Sequence, residues 1–145
     1  MKATLTLNLE IGFYEGQSMT MQVLSNSEEV VPTRTFSDAK TPITFDLNLP
    51  TKLDIILDNR LDSDVRTDAQ GNIIENKYIH LKRMDFNFLE IDDWRLTNDL
   101  DVLSYADVNG KSIDNTTFWN KNGTVSINFS DSDPALWMLK HDELW

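Results

Sequence analysis

The sequence predicts an all-β chain, an antiparallel β-sandwich of jelly-roll type. Three observations predict it. Apolar residues alternate with polar ones in segment after segment, Asp, Asn, Gly and Pro punctuate the gaps, and no helical period persists beyond a couple of turns. A closed barrel is the alternative, but a long mid-chain loop suits a sandwich better. The 145 residues, 40% of them hydrophobic, fit one domain (1–145) with enough apolar material for a core.

Residues 4–11 put Leu5, Leu7, Leu9 and Ile11 on one face and Thr4, Thr6, Asn8 and Glu10 on the other, which is the pattern of a half-buried strand. Glu15-Gly16-Gln17 reads as a turn. Met19, Met21 and Val23 then return on the first strand as a hairpin. Residues 25–29 read as polar loop, and Val30-Val31 as a short strand at most, because Pro32 lacks a ladder donor. Between Pro42 and Pro50, Ile43, Phe45, Leu47 and Leu49 form another inward row. In the next strand the run Ile55-Ile56-Leu57 is apolar on both faces, which predicts a central strand covered on both sides.

At Asp58-Asn59 that strand breaks into a long acidic loop. Within it, Val65-Arg66-Thr67 and Asn72-Ile73-Ile74 flank a turn and suggest a small protruding hairpin near residues 58–76. Residues 78–88 return as a strand, with a bulge at Lys82-Arg83 and Phe86 and Phe88 inward. Residues 90–115 read as an irregular crossover or a helical turn, with Asp107-Val108-Asn109-Gly110 as a turn. Phe118-Trp119, Asn120-Lys121-Asn122-Gly123 and the row Val125, Ile127, Phe129 predict a hairpin, its Asn-Gly pair supplying positive φ. Leu136, Trp137, Leu139, Leu144 and Trp145 follow. The tally is seven or eight strands.

Composition narrows the function. The formal charge of −11, mostly from aspartate, repels phosphate backbones and anionic lipid, which argues against nucleic acid as a partner. No apolar run is long enough for membrane insertion. The opening MKATLTLNLEIG alternates instead of forming an apolar block, so no signal peptide is expected there. With no cysteine, disulfides and thiolate metal sites are excluded.

Catalytic patterns are poor. Asp92-Asp93 and Asp99/Asp101 are neighbouring acids, whereas a glycosidase needs two carboxyls from separate elements. No serine stands in a nucleophile elbow, and His80 and His141 lack zinc-binding spacing. The expectation is a non-enzyme. For calcium, Asp62 and Asp64 have the step of an EF-hand, but Arg66 takes the next ligand position. Asp107 to Gly110 with Asp114 is another candidate, although such strings usually make plain turns.

Ile56-Leu57-Asp58-Asn59 ends one strand, and Asn76-Lys77-Tyr78-Ile79-His80-Leu81 opens another across the polar loop. This resembles the calcium-dependent xylan-binding modules, which carry F-x-N-D at one strand end and R-N-L-Y-V-D-Y-I at a later opening. The resemblance spans about a quarter of the chain. It departs from the family in the reversed Asn-Asp order, the missing Arg before Asn76, and His80 where the family has an acid. It implies a jelly-roll fold and a calcium at the Asp58 loop, held by side-chain and carbonyl oxygens, with Asp58, Asn59, Asp62 and Asp64 as the candidate ligands. It also implies sugar binding nearby. The other reading of these aspartates is that they cap strand ends and face water.

Candidate contacts to a ligand or partner are Asn76, Tyr78, Trp94, Trp119 and Trp145, since indoles and phenols stack on sugars and anchor interfaces. One of Phe118 and Trp119 must point outward, whereas Trp137 reads as core. Trp145 is expected either to fold back on the sandwich or to insert into a partner. Two functions follow. The first is a structural or adaptor protein of a large assembly, a phage virion component of decoration, neck or baseplate type, made in the host cytoplasm and contacting other protein subunits. The second is a calcium-assisted carbohydrate-binding module or lectin-like host-recognition protein acting outside the cell.

Overall fold

A computed structural model describes residues 2–141 apart from Phe88 and Asn115. The strands are β1 (Lys2–Gly12), β2 (Thr20–Ser25), β3 (Glu28–Arg34), β4 (Lys40–Asn48), β5 (Thr51–Asp58), β6 (Val65–Thr67), β7 (Ile73–Asn76), β8 (Tyr78–Phe86), β9 (Leu89–Asp92), β10 (Leu103–Asp107), β11 (Ser112–Ile113), β12 (Phe118–Trp119) and β13 (Gly123–Phe129). A π-helical turn, Arg95–Asp99, lies between β9 and β10, and a two-turn helix, α1 (Pro134–His141), ends the described chain. The strand count exceeds the expected seven or eight because β6, β7, β9, β11 and β12 have two to four residues each. Alternation cannot be seen over so short a span.

Two antiparallel sheets face each other. One runs β11-β10-β13-β5-β2-β3; the other runs β12-β8-β1-β4, with β9 also on β8. The inward rows are those the alternation marked. Leu5, Leu7, Leu9, Ile43, Phe45, Leu47, Ile79, Leu81 and Met84 on one sheet meet Met21, Val23, Leu53, Ile55, Leu57, Val125, Ile127 and Phe129 on the other. Trp137 from α1 plugs one end, its ring 4.8 Å from Phe129 and 5.8 Å from Phe86. The bulge expected near Lys82 is present: Asn8 pairs with Arg83 but Leu9 pairs with Leu81. The strand at Val30-Val31 is longer than the short one expected, Glu28–Arg34, because β3 is an edge strand and Pro32 is tolerated there. The small hairpin β6–β7 forms as expected.

Three expectations need correction. First, β1 and β2 do not pair as a hairpin. β1 lies between β4 and β8 in one sheet, and β2 between β5 and β3 in the other. Second, β12 and β13 are likewise in opposite sheets, so Asn122-Gly123 is a crossing and not a hairpin turn. In both cases the apolar face is buried across the core instead of beside its sequence neighbour, and alternation is the same either way. Third, β5 is central but its outer face is only half covered, at Asp54 and Ile56. A real hairpin was hidden in the polar loop after β2. Asn26 (φ 47°) and Ser27 (φ 66°) both take positive φ, as a two-residue turn between β2 and β3 requires. Phe88, Leu144 and Trp145 lie outside the described residues.

Candidate functional site

The acidic loop begins where β5 runs out at Asp58. Asn59 takes positive φ (68°) and donates its side-chain amide to the Ser18 carbonyl at 3.3 Å, which turns the chain out of the sheet. Arg60 and Asn122 then clasp each other: the Arg60 N–H donates to Asn122 Oδ1 at 3.0 Å, and Asn122 Nδ2 donates to the Arg60 carbonyl at 2.9 Å. The Arg60 guanidinium spans the loop, donating to the Lys77 carbonyl (2.7 Å) and to Asn76 Oδ1 (3.0 Å).

Asp64 is buried within this frame. Its Oδ2 accepts the Leu61 N–H at 2.9 Å and faces the Lys77 ammonium at 3.3 Å, and its carbonyl accepts the Lys77 N–H at 3.2 Å. The Leu61 N–H above all, with Lys77 beside it, holds the Asp64 carboxyl below the ordinary aspartate value against the opposing pull of burial. Asp58 and Asp62 point to solvent.

The four expected ligands are therefore not brought to one point. Asp58 and Asp62 are exposed, Asn59 is tied to Ser18, and Asp64 is turned inward onto a lysine. Calcium collects about six to eight oxygens. The oxygens gathered here already face an ammonium and a guanidinium, so this donor set does not fit the ion. Asp107 of the second candidate loop spends Oδ1 on the Asn109 and Lys111 N–H groups, as a plain turn does. Among the described residues, no three His, Asp or Glu side chains converge as a metal site would need.

A second region lies on the outer edge of β8. β9 takes residues 83–86 of that edge and β12 takes residues 79–80, and a groove of about 400 Å³ opens beside the gap. It is lined by Asp93, Trp94, Thr97, Asn98, Thr116 and Thr117. The Trp94 indole is 59% exposed. The π-helical turn beneath it is laced to its own backbone: Thr97 Oγ1 donates to the Asp93 carbonyl at 3.0 Å and Asn98 Nδ2 to the Trp94 carbonyl at 3.1 Å. Asp93 Oδ2 lies 3.2 Å from His80 Nε2, which ties the turn to β8.

The contact candidates separate accordingly. Trp94 is presented on the surface. Trp119 is corrected to core: it is fully buried and its Nε1 donates to the Thr116 carbonyl at 2.8 Å. Phe118 is the outward member of that pair, stacked 4.6 Å from Tyr78. Tyr78 is half-buried and donates its hydroxyl to Glu10 at 2.9 Å; burial first, then Glu10, raises its pKa. Asn76 serves Arg60, and Trp145 lies outside the described residues.

Sequence reasoning passed over Arg60, Lys77 and Asn122. One signal for Lys77 was available, because it falls in register with the inward row Ile79 and Leu81, and a lysine at an inward position needs a partner. Thr97, Asn98, Thr116 and Thr117 lay in or beside the stretch that no periodicity assigned.

Two solved structures share this fold. One is vCBM60 in complex with galactobiose, 16% identical, with a TM-score of 0.53 over 86% of this chain and 97% of that chain. The other is the selenomethionine form of vCBM60, described with a link by circular permutation between two families of calcium-dependent carbohydrate binding modules. It is 13% identical, with a TM-score of 0.54 over 87% of this chain and 90% of that chain. The all-β sandwich of these carbohydrate-binding modules is thus the fold of this chain. No protein-family model matches the sequence, and no curated protein sequence matches it.

Proposed function

We propose that the chain is a non-catalytic carbohydrate-binding module and that the Trp94 groove holds the sugar. The observation that carries this reading is the exposed indole, with hydroxyl, amide and carboxylate groups around it, on a sandwich whose solved neighbour holds galactobiose. A pyranose has an apolar C–H face and a rim of hydroxyls. The indole offers a flat surface to the first, and Thr97, Asn98, Thr116 and Asp93 offer donors and acceptors to the second. The turn is anchored through Asp93 and His80, so the platform is in place before the ligand arrives.

Of the two functions drawn from the sequence, the fold likeness supports the carbohydrate reading, and no structural observation favours a virion component. A module of this kind works where extracellular glycans are.

The test is a glycan array followed by calorimetry on the best oligosaccharide, with xylo- and galacto-oligosaccharides included. Trp94→Ala is expected to weaken binding about tenfold or more, equivalent to about 1.4 kcal/mol, with an unchanged melting temperature because the ring is exposed. If the unaltered chain binds no glycan, or Trp94→Ala binds as well as it does, the reading fails.

A further inference from the structure

We infer that the Lys77 ammonium, with the Arg60 guanidinium beside it, does in the Asp58 loop the work that the sequence resemblance assigns to calcium. The chain closes this loop with its own cations, without a divalent metal. The inference goes beyond the carbohydrate reading and does not rest on it, since its test reads stability and not sugar binding.

The physical problem is common to both solutions. A loop that leaves one strand and re-enters another gathers side-chain and carbonyl oxygens, and converging oxygens need positive charge or N–H groups to stay together. Here each partner is identifiable. Asp64 Oδ2 faces Lys77 Nζ at 3.3 Å, and the Asp64 carbonyl accepts the Lys77 N–H at 3.2 Å. The Lys77 carbonyl accepts Arg60 Nε at 2.7 Å, and Asn76 Oδ1 accepts Arg60 Nη2 at 3.0 Å. These are the kinds of oxygen that calcium collects, and all of them are already engaged.

Burial makes the arrangement committed. Lys77 is 4% exposed and Asp64 7%, so the ammonium cannot swing into water while the loop stays closed. A calcium ion seeking the same oxygens would have to expel Lys77 and sit against Arg60, placing a dication beside fixed positive charge. The loop is thus built against the metal as well as able to do without it.

Thermal melting of the full chain tests this. With excess calcium chloride and with EDTA the melting temperature should be the same. Lys77→Met, which keeps the stem and removes the charge, should lower it by several degrees by leaving Asp64 buried and unpaired. Adding Asp64→Asn to that variant should recover much of the loss, which distinguishes lost charge pairing from lost packing. Three results would overturn the inference: a calcium-induced rise in the unaltered chain that Asp58→Ala or Asp62→Ala abolishes, a Lys77→Met variant that melts like the parent, or a double variant no better than the single. Should Lys77→Met not fold, the calcium and EDTA comparison on the parent and on the exposed Asp58 and Asp62 variants still decides.

Discussion

The chain uses the dipeptide Asn-Gly twice, and the two copies do different things. Asn109-Gly110 closes the turn from β10 to β11. Gly110 has φ 80°, its N–H reaches the Asp107 carbonyl at 3.0 Å, and the space where a Cβ would stand is open. Asn122-Gly123 is no turn of that kind. Gly123 lies in β13 opposite Asp107, outside the positive-φ region, and a Cβ there would stand 2.0 Å from the Ala106 carbonyl oxygen. The first glycine answers a backbone requirement, the second a steric one. The asparagines differ as well. The Asn109 N–H completes a local turn on Asp107, whereas the Asn122 side chain, just before β13, holds the Arg60 backbone just past the paired end of β5.

Substitutions should separate the two copies. Gly123→Ala carries the largest expected effect, about 3 kcal/mol of destabilisation, because the clash is with backbone that cannot move aside cheaply. Urea unfolding measures it, and a loss no greater than that of Gly110→Ala would dissolve the distinction. Asn122→Ala should cost about 2 kcal/mol through two lost hydrogen bonds to Arg60.

Acid sharpens that second case. Asp64 has a lowered pKa in the folded chain, so its contribution is complete above the ordinary aspartate value of 3.8 and is lost as pH falls through the lower folded value. The gap between the parent and Lys77→Met should therefore narrow below about pH 4, while the gap to Asn122→Ala, an uncharged clasp, should persist. Parallel melting curves from pH 7 to pH 3 check both. The smallest effect belongs to Gly110→Ala, about 1 kcal/mol, for holding an L side chain at positive φ in open space.

Particular residues show how far the sequence could be read. The inward rows of β1, β4, β5 and β13, the bulge at Lys82, the β6–β7 hairpin and the core role of Trp137 were all legible, since each leaves a local mark in alternation or turn composition. The candidate site was legible in fragments. Trp94 was singled out as a contact, but its groove depends on β9 and β12 sharing one edge of β8, and strands of two to four residues leave no periodic trace. The acidic loop was prominent, yet its aspartates drew attention from the residue that matters most inside it, Lys77.

What the sequence determined by itself is which face of each strand seeks a dry layer, and which residues make the chain turn. Only the tertiary structure decided which sheet each strand joins, which Asn-Gly pair turns, and that Asp64 meets Lys77. The reason is physical. A period of two reports that a side chain faces the core, but it is silent on whether the next strand lies beside it or across from it. Contacts such as Arg60 with Asn122 link residues far apart in the chain, and they exist only once β5 and β13 have paired.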